Sequence, residues 1–366
     1  MSDFSASDRV HMARALQLAE RGINTAHPNP MVGCVLVRDG VVVGEGWHKR
    51  AGEPHAEINA LGQANDKARG ATAYVTLEPC SHHGKTPPCV QALVAAGVSE
   101  IVVALQDPNP KVDGQGLDAL RQAGVQTRVG LMEVEAAKLL SGFISRMTTG
   151  RPFVRLKIAC SIDGGIAMLD GQSQWITGPE AREDVQLLRA RSGAIMTGIG
   201  TVLADDPSLT VRDATIDTGG RQPIRAVLDN GLRMPLSAEM LALPGTTLIY
   251  CGDDVARVPL IEAGAEVVKV DAVDGLVNTA AVLDNLASRE VNDVLVEAGP
   301  MLAGNLLSRG LVDELVIYQA PHIMGSETLR MFDTPTWTEL SDRKELTITD
   351  MRQVGKDTRI TARISG

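Results

Sequence analysis

Short apolar runs alternate with helical patterns along nearly the whole chain, and this alternation limits the possible folds more than any other feature. In the first part, the strand-like runs lie within MVGCVLVRDGVVVGEGWH, ATAYVTLEP and EIVVALQDPNP, with helically spaced segments between them. Asp39-Gly40 between the first two runs predicts a β-hairpin. The order as a whole predicts a parallel or mixed sheet covered by helices, which is the α/β class.

A second α/β series follows the first and predicts a second domain. A length of 366 residues exceeds the usual size of one compact core. The Thr-Thr-Gly-Arg-Pro stretch near Gly150 separates the series, so we predict domains at residues 1–149 and 150–366. We expect EVEAAKLLSGFISRMTTGRP to be one helix that closes the first domain. The strands expected in the second domain are FVRLKIAC, AIMTGIG, IRAVLDN, TTLIYCG, AEVVKV, DVLVEAG and ELVIYQAP.

Composition and charge exclude several classes of partner. A formal charge of −10 and a pI near 5.3 disfavour an electrostatic grip on nucleic acid. The sequence shows neither a secretory signal nor an apolar run that could span a bilayer, so we expect a cytoplasmic protein without a membrane partner. Its five cysteines are too scattered for a disulfide framework. We therefore expect the cysteines to carry reduced thiols. Separately, we expect the chain to form a homo-oligomer.

Two motifs in the first series predict a metal site. EPHAE places His55 and Glu57 at the start of a helix expected from about Pro54, and EPCSHHGKTPPC supplies Cys80 and Cys89. An imidazole and two thiolates are three good zinc ligands that leave a fourth position for water. Zinc makes such a water available as a nucleophile at neutral pH, while Glu57, held off the metal, shuttles protons. Cys34 lies in an apolar strand, where core packing is the expected role.

This order of His-x-Glu, Pro-Cys and a second cysteine is the pattern of zinc-dependent base deaminases. One departure is that eight residues separate Cys80 from Cys89, where Pro-Cys-x-x-Cys is usual. The loop between them offers His82 and Lys85 for an anionic substrate, whereas for His83 we expect a solvated position.

Three alternatives stay open from the residues alone. The cysteines could be core residues beside a capped surface histidine, or the zinc could stabilise a non-catalytic binding protein. The chain could also be a nucleic-acid base deaminase with an unrelated appended domain. The acidic charge and 3% aromatic content disfavour that third alternative.

A resemblance to one family narrows these alternatives. HPNPMVGCVLV, GWHKRAGEPHAEINAL, YVTLEPCSHHGKTPPC and ALQDPNPKVDGQG resemble the bifunctional deaminase/reductases of riboflavin biosynthesis. The second half continues the likeness with KIACSIDGGIA, SQWITG, GIGTVLADDPSLTVR and VEAGPMLAGNLL, so that it covers nearly the entire chain. The resemblance implies a cytidine-deaminase-like α/β/α domain followed by a dihydrofolate-reductase-like α/β domain.

The resemblance also implies two consecutive reactions and their cofactors. A zinc-assisted hydrolytic deamination of 2,5-diamino-6-(5-phosphoribosylamino)pyrimidin-4(3H)-one comes first. An NADPH-dependent reduction of the ribosyl group to ribityl then gives 5-amino-6-(5-phosphoribitylamino)uracil. The expected partner is therefore a small phosphorylated pyrimidine and not nucleic acid.

Within the first domain, the resemblance assigns zinc to His55, Cys80 and Cys89 and the proton shuttle to Glu57. It implies that Asn29 and His48 contact the pyrimidine of the deaminase substrate. It implies that the ribose phosphate is contacted by His82, Lys85, Asp107 and Asn109. From the residues alone, Asn29 and Asp107 read equally well as turn formers.

The second domain has no GxGxxG fingerprint, and only two glycine-bearing loops after expected strands favour a phosphate. The resemblance implies that NADPH is lined by Ala159, Trp175, Thr201, Asp205, Gly299, Pro300, Met301, Leu302, Ala303, Gly304 and Asn305. It implies that the reductase substrate faces Ser173, Arg189, Leu209, Arg212 and Glu297.

Several of these residues have simpler interpretations when taken singly. Arg189 fits a solvated helix face, Trp175 a packing anchor and Glu297 a strand-end charge. Asn230 stands where the family often has serine, which puts a cofactor contact there in doubt. Lys157 and Asp163 are polar contributors for which the sequence indicates no proton-transfer role.

Overall fold

A five-stranded mixed sheet forms the centre of the first unit, Met1–Gly150, of a chain that divides into two units, the second being Arg151–Gly366. The computed structural model describes residues 4–81, 88–110, 112–252, 257–273 and 275–364. The strands of the first sheet are β1 Gly33–Arg38, β2 Val41–Trp47, β3 Thr72–Leu77, β4 Glu100–Leu105 and β5 Gln126–Val129. Their order is β2-β1-β3-β4-β5, in which β1 is antiparallel to both neighbours and β3, β4 and β5 are parallel.

Helices cover both faces of this sheet. They are α1 Ala6–Glu20, α2 Ala56–Ala64, α3 Cys89–Ala95, α4 Gln115–Gln122, α5 Glu133–Leu139 and α6 Ser141–Thr149. One core cluster joins the sheet to α2, α3 and α4, and another joins its opposite face to α1 and α5. The first unit is therefore an α/β/α sandwich, as the family resemblance implies, and its sheet is mixed and covered by helices, as the sequence pattern predicts.

The β1–β2 hairpin sets the position of α2. Asp39 and Gly40 both have positive φ, 53° and 75°, so the predicted two-residue turn is confirmed. A Cβ at Gly46 on β2 would lie 2.3 Å from the Ala56 carbonyl oxygen, and one at Gly44 would lie 2.3 Å from that of Ala60. Because these two positions carry no side chain, the backbone of α2 can approach the strand closely.

Two predicted helix boundaries in this unit are wrong. The segment that we expected to be one closing helix is two helices, which break at Leu140, where φ is −94° and ψ is 14°. The Ser141-Gly142 pair that follows is a poor helix interior, which explains the break. In addition, α2 begins at Ala56, so His55 is its N-cap residue in extended conformation and only Glu57 lies within the helix.

A nine-stranded sheet forms the centre of the second unit, in the order β11-β10-β9-β8-β14-β6-β15-β18-β17. The strands of this unit are β6 Phe153–Ser161, β7 Gly165–Met168, β8 Ala194–Gly198, β9 Ile224–Leu228, β10 Thr247–Cys251, β11 Glu266–Lys269, β12 Ala272–Val273, β13 Leu276–Val277, β14 Asp293–Glu297, β15 Glu314–Ala320, β16 Thr328–Arg330, β17 Leu346–Val354 and β18 Asp357–Ile364. From β11 to β15 all neighbours are parallel, whereas β18 and β17 add an antiparallel edge.

Helices also cover both faces of the second sheet. They are α7 Pro179–Arg191, α8 Ile199–Asp205, α9 Glu239–Ala242, α10 Val258–Glu262, α11 Thr279–Ser288 and α12 Pro300–Ser308. One core contains residues of α11 and α12, and the other contains residues of α7, α8, α9 and α10. The strand expected over AIMTGIG ends at Gly198, because Ile199 already begins α8.

The C-terminal hairpin of β17 and β18 is absent from the sequence prediction. Nearly every residue of β17 is exposed, so the strand lacks the alternation of buried and exposed positions that identifies a half-buried strand. An irregularity in register between Ile348 and Asp350 weakens that pattern further. Among the described residues, no helix combines the length and apolar character needed to cross a membrane.

Candidate active sites

Three side chains from separate junctions of the first unit converge on one point. His55 is the N-cap of α2, Cys80 follows β3, and Cys89 is the first residue of α3. His55 Nδ1 lies 3.6 Å from Cys80 Sγ and 3.3 Å from Cys89 Sγ. All three ligand atoms lie within 4.8 Å of one another. The structure therefore brings together the predicted metal ligands.

The donor set and its spacing fit zinc. With a zinc ion about 2.3 Å from sulfur and about 2.0–2.1 Å from nitrogen, tetrahedral geometry separates the two ligand atoms by about 3.6 Å. The observed nitrogen–sulfur distances of 3.6 and 3.3 Å are close to that value. Two thiolates and one imidazole also favour zinc over a harder cation such as Mg²⁺. Three protein ligands leave one position for a reacting molecule.

The two thiols share an environment that favours a charged sulfur. The Cys89 side chain and His55 hydrogen-bond to Cys80 and lower the pKa of its thiol to about 4. The backbone N–H of Cys89, at the start of α3, also donates to Cys80 Sγ over 3.4 Å. The pKa of Cys89 is raised by its hydrogen bond with Cys80 and by burial. These shifts favour the thiolate at Cys80 and disfavour it at Cys89, and a bound divalent cation would stabilise both thiolates.

Glu57 lies beside the metal ligands without being one of them. Its side chain is buried, with 3% of its surface exposed, in the first turn of α2. Burial raises the pKa of this carboxyl to about 7, although the neighbouring His55 opposes the shift. A carboxyl with a pKa near neutrality can both accept and return a proton at physiological pH.

Asn29 and His48 form a hydrogen-bonded pair near the metal ligands. Asn29 Nδ2 lies 3.0 Å from His48 Nε2, and His48 Nδ1 lies 3.4 Å from the carbonyl oxygen of Pro54. If Nδ1 donates to Pro54, Nε2 accepts from the Asn29 amide, which fixes the neutral tautomer. Burial lowers the pKa of His48, in agreement with a neutral ring. The ring centroids of His48 and His55 are 5.3 Å apart.

The loop that carries Asp107 and Asn109 is tied to the metal site through Glu78. Asp107 Oδ1 accepts a hydrogen bond from the Asn109 backbone N–H over 2.8 Å, and the Asp107 N–H donates to Glu78 Oε2 over 3.1 Å. Glu78 precedes Pro79 and Cys80, and the sequence reasoning missed it. An acidic residue at the end of a buried strand was the available signal. His82, His83 and Lys85 lie outside the described residues.

In the second unit, a buried ion pair lies at the end of β14. Arg189 Nε and Nη2 donate to Glu297 over 2.7 and 3.0 Å, and Arg189 Nη1 donates to the Thr210 carbonyl oxygen over 3.0 Å. Burial alone would raise the pKa of Glu297, but Arg189 outweighs it and the pKa is lowered. Burial lowers the pKa of Lys157, whose charge also acts on Glu297. Three ionisable side chains, those of Arg189, Glu297 and Lys157, therefore interact within a largely apolar unit.

Residues expected near substrate and cofactor are spread over several elements of the second unit. Ser173 Oγ donates to Asp205 Oδ1 over 3.3 Å, and the Trp175 side chain is 67% exposed beneath the Arg182 guanidinium. Ala159 lies on β6, Thr201 lies in α8, and Leu209 and Arg212 lie in the segment after α8. The backbone N–H of Arg212 donates to Gln186.

The run 299–305 comprises the N-cap and the first six residues of α12. Gly299 is the N-cap, Pro300 is the first helical residue and Met301 is 64% exposed. By contrast, a Cβ at Gly304 would lie 1.9 Å from the Asp333 carbonyl oxygen, and Asn305 Oδ1 accepts from Thr279 Oγ1 over 3.1 Å. The beginning of the run is therefore open to a ligand, while its end packs against the unit itself.

Two further polar residues act within the fold. The Asn230 amide bridges the Gly252 N–H, at 2.9 Å, and the Gly275 carbonyl oxygen, at 3.0 Å. Asp163 accepts hydrogen bonds from Ser161 and from the N–H groups of Met324 and Gly325, which lower the pKa of its carboxyl to about 2. Both contacts tie loops together.

A metal site of this composition on an α/β/α unit, with a buried carboxyl beside it, defines a zinc-dependent deaminase. The sequence matches the "Cytidine and deoxycytidylate deaminase zinc-binding region" over residues 5–105 and the "RibD C-terminal domain" over residues 152–360. The riboflavin biosynthesis protein RibD of Escherichia coli strain K12 is 49% identical to it over 362 residues, which cover 96% of this chain and 97% of that protein.

Two solved structures resemble the whole chain. Acinetobacter baumannii RibD, form 1, has a TM-score of 0.92 and 43% identity, covering 98% of this chain and 99% of that one. A diaminohydroxyphosphoribosylaminopyrimidine deaminase/5-amino-6-(5-phosphoribosylamino)uracil reductase from Thermotoga maritima has a TM-score of 0.87 and 33% identity with the same coverage. The chain belongs to the RibD family of bifunctional riboflavin biosynthesis enzymes.

Membership in this family confirms the main sequence predictions. The chain is an enzyme with two activities, a zinc-dependent deaminase and an NADPH-dependent reductase, and its two α/β folds are the expected ones. A nucleic-acid base deaminase with an unrelated appended domain is not favoured, because the second unit matches the reductase domain of the same family.

Proposed function

We propose that residues 1–149 deaminate 2,5-diamino-6-(5-phosphoribosylamino)pyrimidin-4(3H)-one and that residues 150–366 then reduce its ribosyl group to ribityl with NADPH. The observation that carries the first step is the convergence of His55, Cys80 and Cys89 beside the buried Glu57. The similar Thermotoga maritima protein, named for both activities, supports this choice of substrate.

Glu57 moves the protons of the deamination. His55, Cys80 and Cys89 would hold the zinc ion, which would supply a water activated for attack on the ring carbon that bears the amine. Glu57 accepts the proton that this water loses and returns it to the amine, which leaves as ammonia. Because burial raises the pKa of Glu57 to about 7, this carboxyl can both accept and return a proton at physiological pH.

Asn29 and His48 hold the pyrimidine edge. Donation from the Asn29 amide to His48 Nε2 fixes the orientation of that amide. An asparagine amide carries a second N–H and an oxygen with two lone pairs, which suit the alternating donors and acceptors of a pyrimidinone. His48 thus sets the direction in which Asn29 presents its groups.

Asp107 and Asn109, together with His82 and Lys85, bind the ribose phosphate. The hydrogen bond from the Asn109 N–H to Asp107 Oδ1 gives this loop a fixed turn. His82 and Lys85 lie outside the described residues, and their assignment rests on the resemblance alone.

In the reductase step, NADPH would supply the hydride for the ribosyl carbon C1′, and the protein would hold the cofactor and the substrate. The residues that would hold NADPH are Ala159, Trp175, Thr201 and Asp205 and the run Gly299, Pro300, Met301, Leu302, Ala303, Gly304 and Asn305. The N-terminus of α12 at Gly299 suits a phosphate of the cofactor. The substrate side is formed by Ser173, Arg189, Leu209, Arg212 and Glu297.

We also propose a cytoplasmic homo-oligomer. Cys34, Cys80, Cys89 and Cys160 carry thiols rather than disulfides, as a reducing compartment requires. Strand β17 lies at the edge of its sheet with Leu346, Ile348 and Met351 exposed, which is a template for pairing with a second copy. Light scattering after size exclusion tests the oligomer, and cell fractionation tests the compartment.

Product masses test the two activities together. Purified enzyme is incubated with the diaminopyrimidinone ribosyl phosphate, with and without NADPH. We expect replacement of the amine by oxygen in both reactions, and a further gain of two hydrogen atoms only when NADPH is present. An unchanged substrate in both reactions would refute the proposal, and a substrate reduced without deamination would refute the order of steps.

A further inference from the structure

The Glu78 carboxylate accepts four hydrogen bonds from backbone N–H groups. Oε2 accepts from Asp107 and Gly114, at 3.1 and 3.0 Å, and Oε1 accepts from Gly116 and Leu117, at 2.8 and 3.2 Å. Only 4% of the residue's surface is exposed. Hydrogen bonds from N–H groups to a buried carboxylate are among the stronger ones in proteins. Four of them make Glu78 the organising group of this region.

The four donors bracket the loop that carries Asp107 and Asn109. Asp107 begins the loop, and Gly114, Gly116 and Leu117 end it at the first turn of α4. Inside the loop, the Asn109 carbonyl oxygen accepts from the N–H groups of Val112 and Asp113, and Gln106 donates to Asp113. One carboxylate therefore binds both ends of this loop, at Asp107 and at the residues that begin α4.

The same carboxylate joins this loop to the metal site. Glu78 is two residues before Cys80, and a Cβ at Gly116 would lie 2.1 Å from the carbonyl oxygen of the intervening Pro79. The start of α4 thus packs directly against the backbone that leads to a metal ligand. A displacement of Glu78 from its four donors changes the distance between the loop and Cys80.

We propose that Glu78 is a positioning residue for deamination, which holds the ribose-phosphate loop at a fixed place relative to Cys80. This role rests on the proposed function, in which Asp107 and Asn109 contact the substrate. Glu78 itself touches neither substrate nor metal in it. The loop binds the part of the substrate that does not react, and we expect its contacts to be equally strong in the ground state and in the transition state, so that its position governs KM more than kcat.

Glu78→Gln is the sharpest variant, because the side chain keeps its shape and loses one acceptor. Whichever way the amide points, its NH₂ group faces two backbone N–H donors that lose their partner. We expect KM for the diaminopyrimidinone ribosyl phosphate to rise about tenfold, with kcat changed by less than about threefold. Zinc content and reductase activity stay at the level of the unmodified enzyme. Glu135→Gln, at an exposed glutamate of α5, is the matched control.

Hydrogen exchange provides a second measurement that does not depend on turnover. In Glu78→Gln, the amides of Asp107, Gly114, Gly116 and Leu117 are expected to exchange faster, while those of β3 and β4 stay protected. Gly116→Ala moves the start of α4 away from Pro79 without removing the carboxylate, and we expect it to raise KM in the same way.

Two outcomes overturn the proposal. One is a Glu78→Gln enzyme with unchanged KM and unchanged loop exchange. The other is faster exchange throughout the first unit with loss of zinc, which would make Glu78 a general stabilising residue. Failure of the unmodified enzyme to release ammonia would instead overturn the proposed function, and the exchange pattern would still report whether Glu78 holds the loop.

Discussion

Arg189 and Glu297 form a bidentate ion pair in which the two side chains are 9% and 13% exposed, and Arg189 Nη1 also donates to the Thr210 carbonyl oxygen. The sequence resemblance places both residues against the reductase substrate. The structure shows that the guanidinium fork already holds a protein carboxylate. In the proposed reductase site, Arg189 would therefore act through Glu297, whose position it fixes.

Replacing Arg189 with methionine is expected to destabilise the second unit by about 3–5 kcal/mol, because Glu297 is left as a buried charge without its main partner. Calorimetric unfolding measures the loss. The double variant Arg189→Met with Glu297→Gln is expected to lose less than the two single variants together, because no charge is stranded. Strict additivity of the three values would contradict a direct coupling between these residues.

Glu57→Gln is expected to lower the rate of ammonia release about 10²–10⁴-fold, because the proton can no longer be passed from the water to the amine. Zinc content measured by mass spectrometry stays near one per chain, since Glu57 is not a ligand. The exposed Glu135→Gln serves as the control. Ammonia release at the unmodified rate from the zinc-loaded variant would exclude Glu57 as the proton shuttle.

Metal removal separates the two activities. Chelation, or the substitution Cys80→Ser, is expected to abolish deamination and leave the NADPH-dependent reaction of a pre-deaminated substrate intact. Cys34→Ala is the control, because Cys34 is buried in β1 and is not part of the metal site. Its zinc content and its rate of deamination should match those of the unmodified chain. Equal loss of zinc in both variants would argue against the ligand assignment.

Gly46→Ala is expected to reduce both zinc affinity and deamination although Gly46 touches no ligand. The added Cβ would lie 2.3 Å from the Ala56 carbonyl oxygen, which forces α2 and its first residues away from β2. Gly62→Ala, in α2 itself with nothing within 4 Å of its Cβ, is the matched control and is expected to keep full activity. Titration with a zinc indicator compares the two, and equal affinities would refute the argument.

The Asp8 carboxylate is expected to make the first unit sensitive to acid. Burial opposes its ionisation, but Arg128, Tyr74 and Ser5 outweigh burial and hold the pKa of Asp8 well below its usual range. A carboxyl whose pKa is lower in the folded state than in the unfolded state stabilises the fold at pH values above its unfolded pKa, which is near 4. This contribution is lost as the pH falls toward the pKa of the folded state.

Asp8→Asn should therefore unfold more easily than the unmodified chain at pH 7, by about 1–3 kcal/mol. The difference between the two proteins should shrink as pH falls below about 4, because only the unmodified chain loses the contribution of a charged Asp8. Denaturant unfolding at several pH values measures this. A difference that does not vary with pH would show that the charge of Asp8 is not responsible.

Sequence reasoning could locate the metal site because each ligand has a local signal. Cys80 follows an apolar run, Cys89 begins a helical one, and His55 with Glu57 follows a proline. These signals place the residues at strand and helix ends, where an α/β fold brings side chains together. The hairpin at Asp39-Gly40 was equally predictable, because its turn needs positive φ at both residues.

Long-range partners could not be found in this way. The N–H groups bound by Glu78 belong to residues 29 to 39 positions further along the chain, and the pair Arg189–Glu297 spans 108 positions. A contact between residues so far apart in the chain produces no periodic pattern in the sequence. The hairpin of β17 and β18 was missed for a different reason, because an exposed edge strand has no buried face to produce a pattern.

The spacing of the three ligands along the chain affects the stability of the fold as well as the deamination. His55 and Cys89 stand 34 positions apart, so a shared cation would act as a removable cross-link across a sizeable loop. Such a cross-link lowers the conformational entropy of the unfolded chain, and it therefore stabilises the native state. A cell short of zinc would then accumulate molecules whose amino-terminal half is open to proteases while the carboxy-terminal half survives.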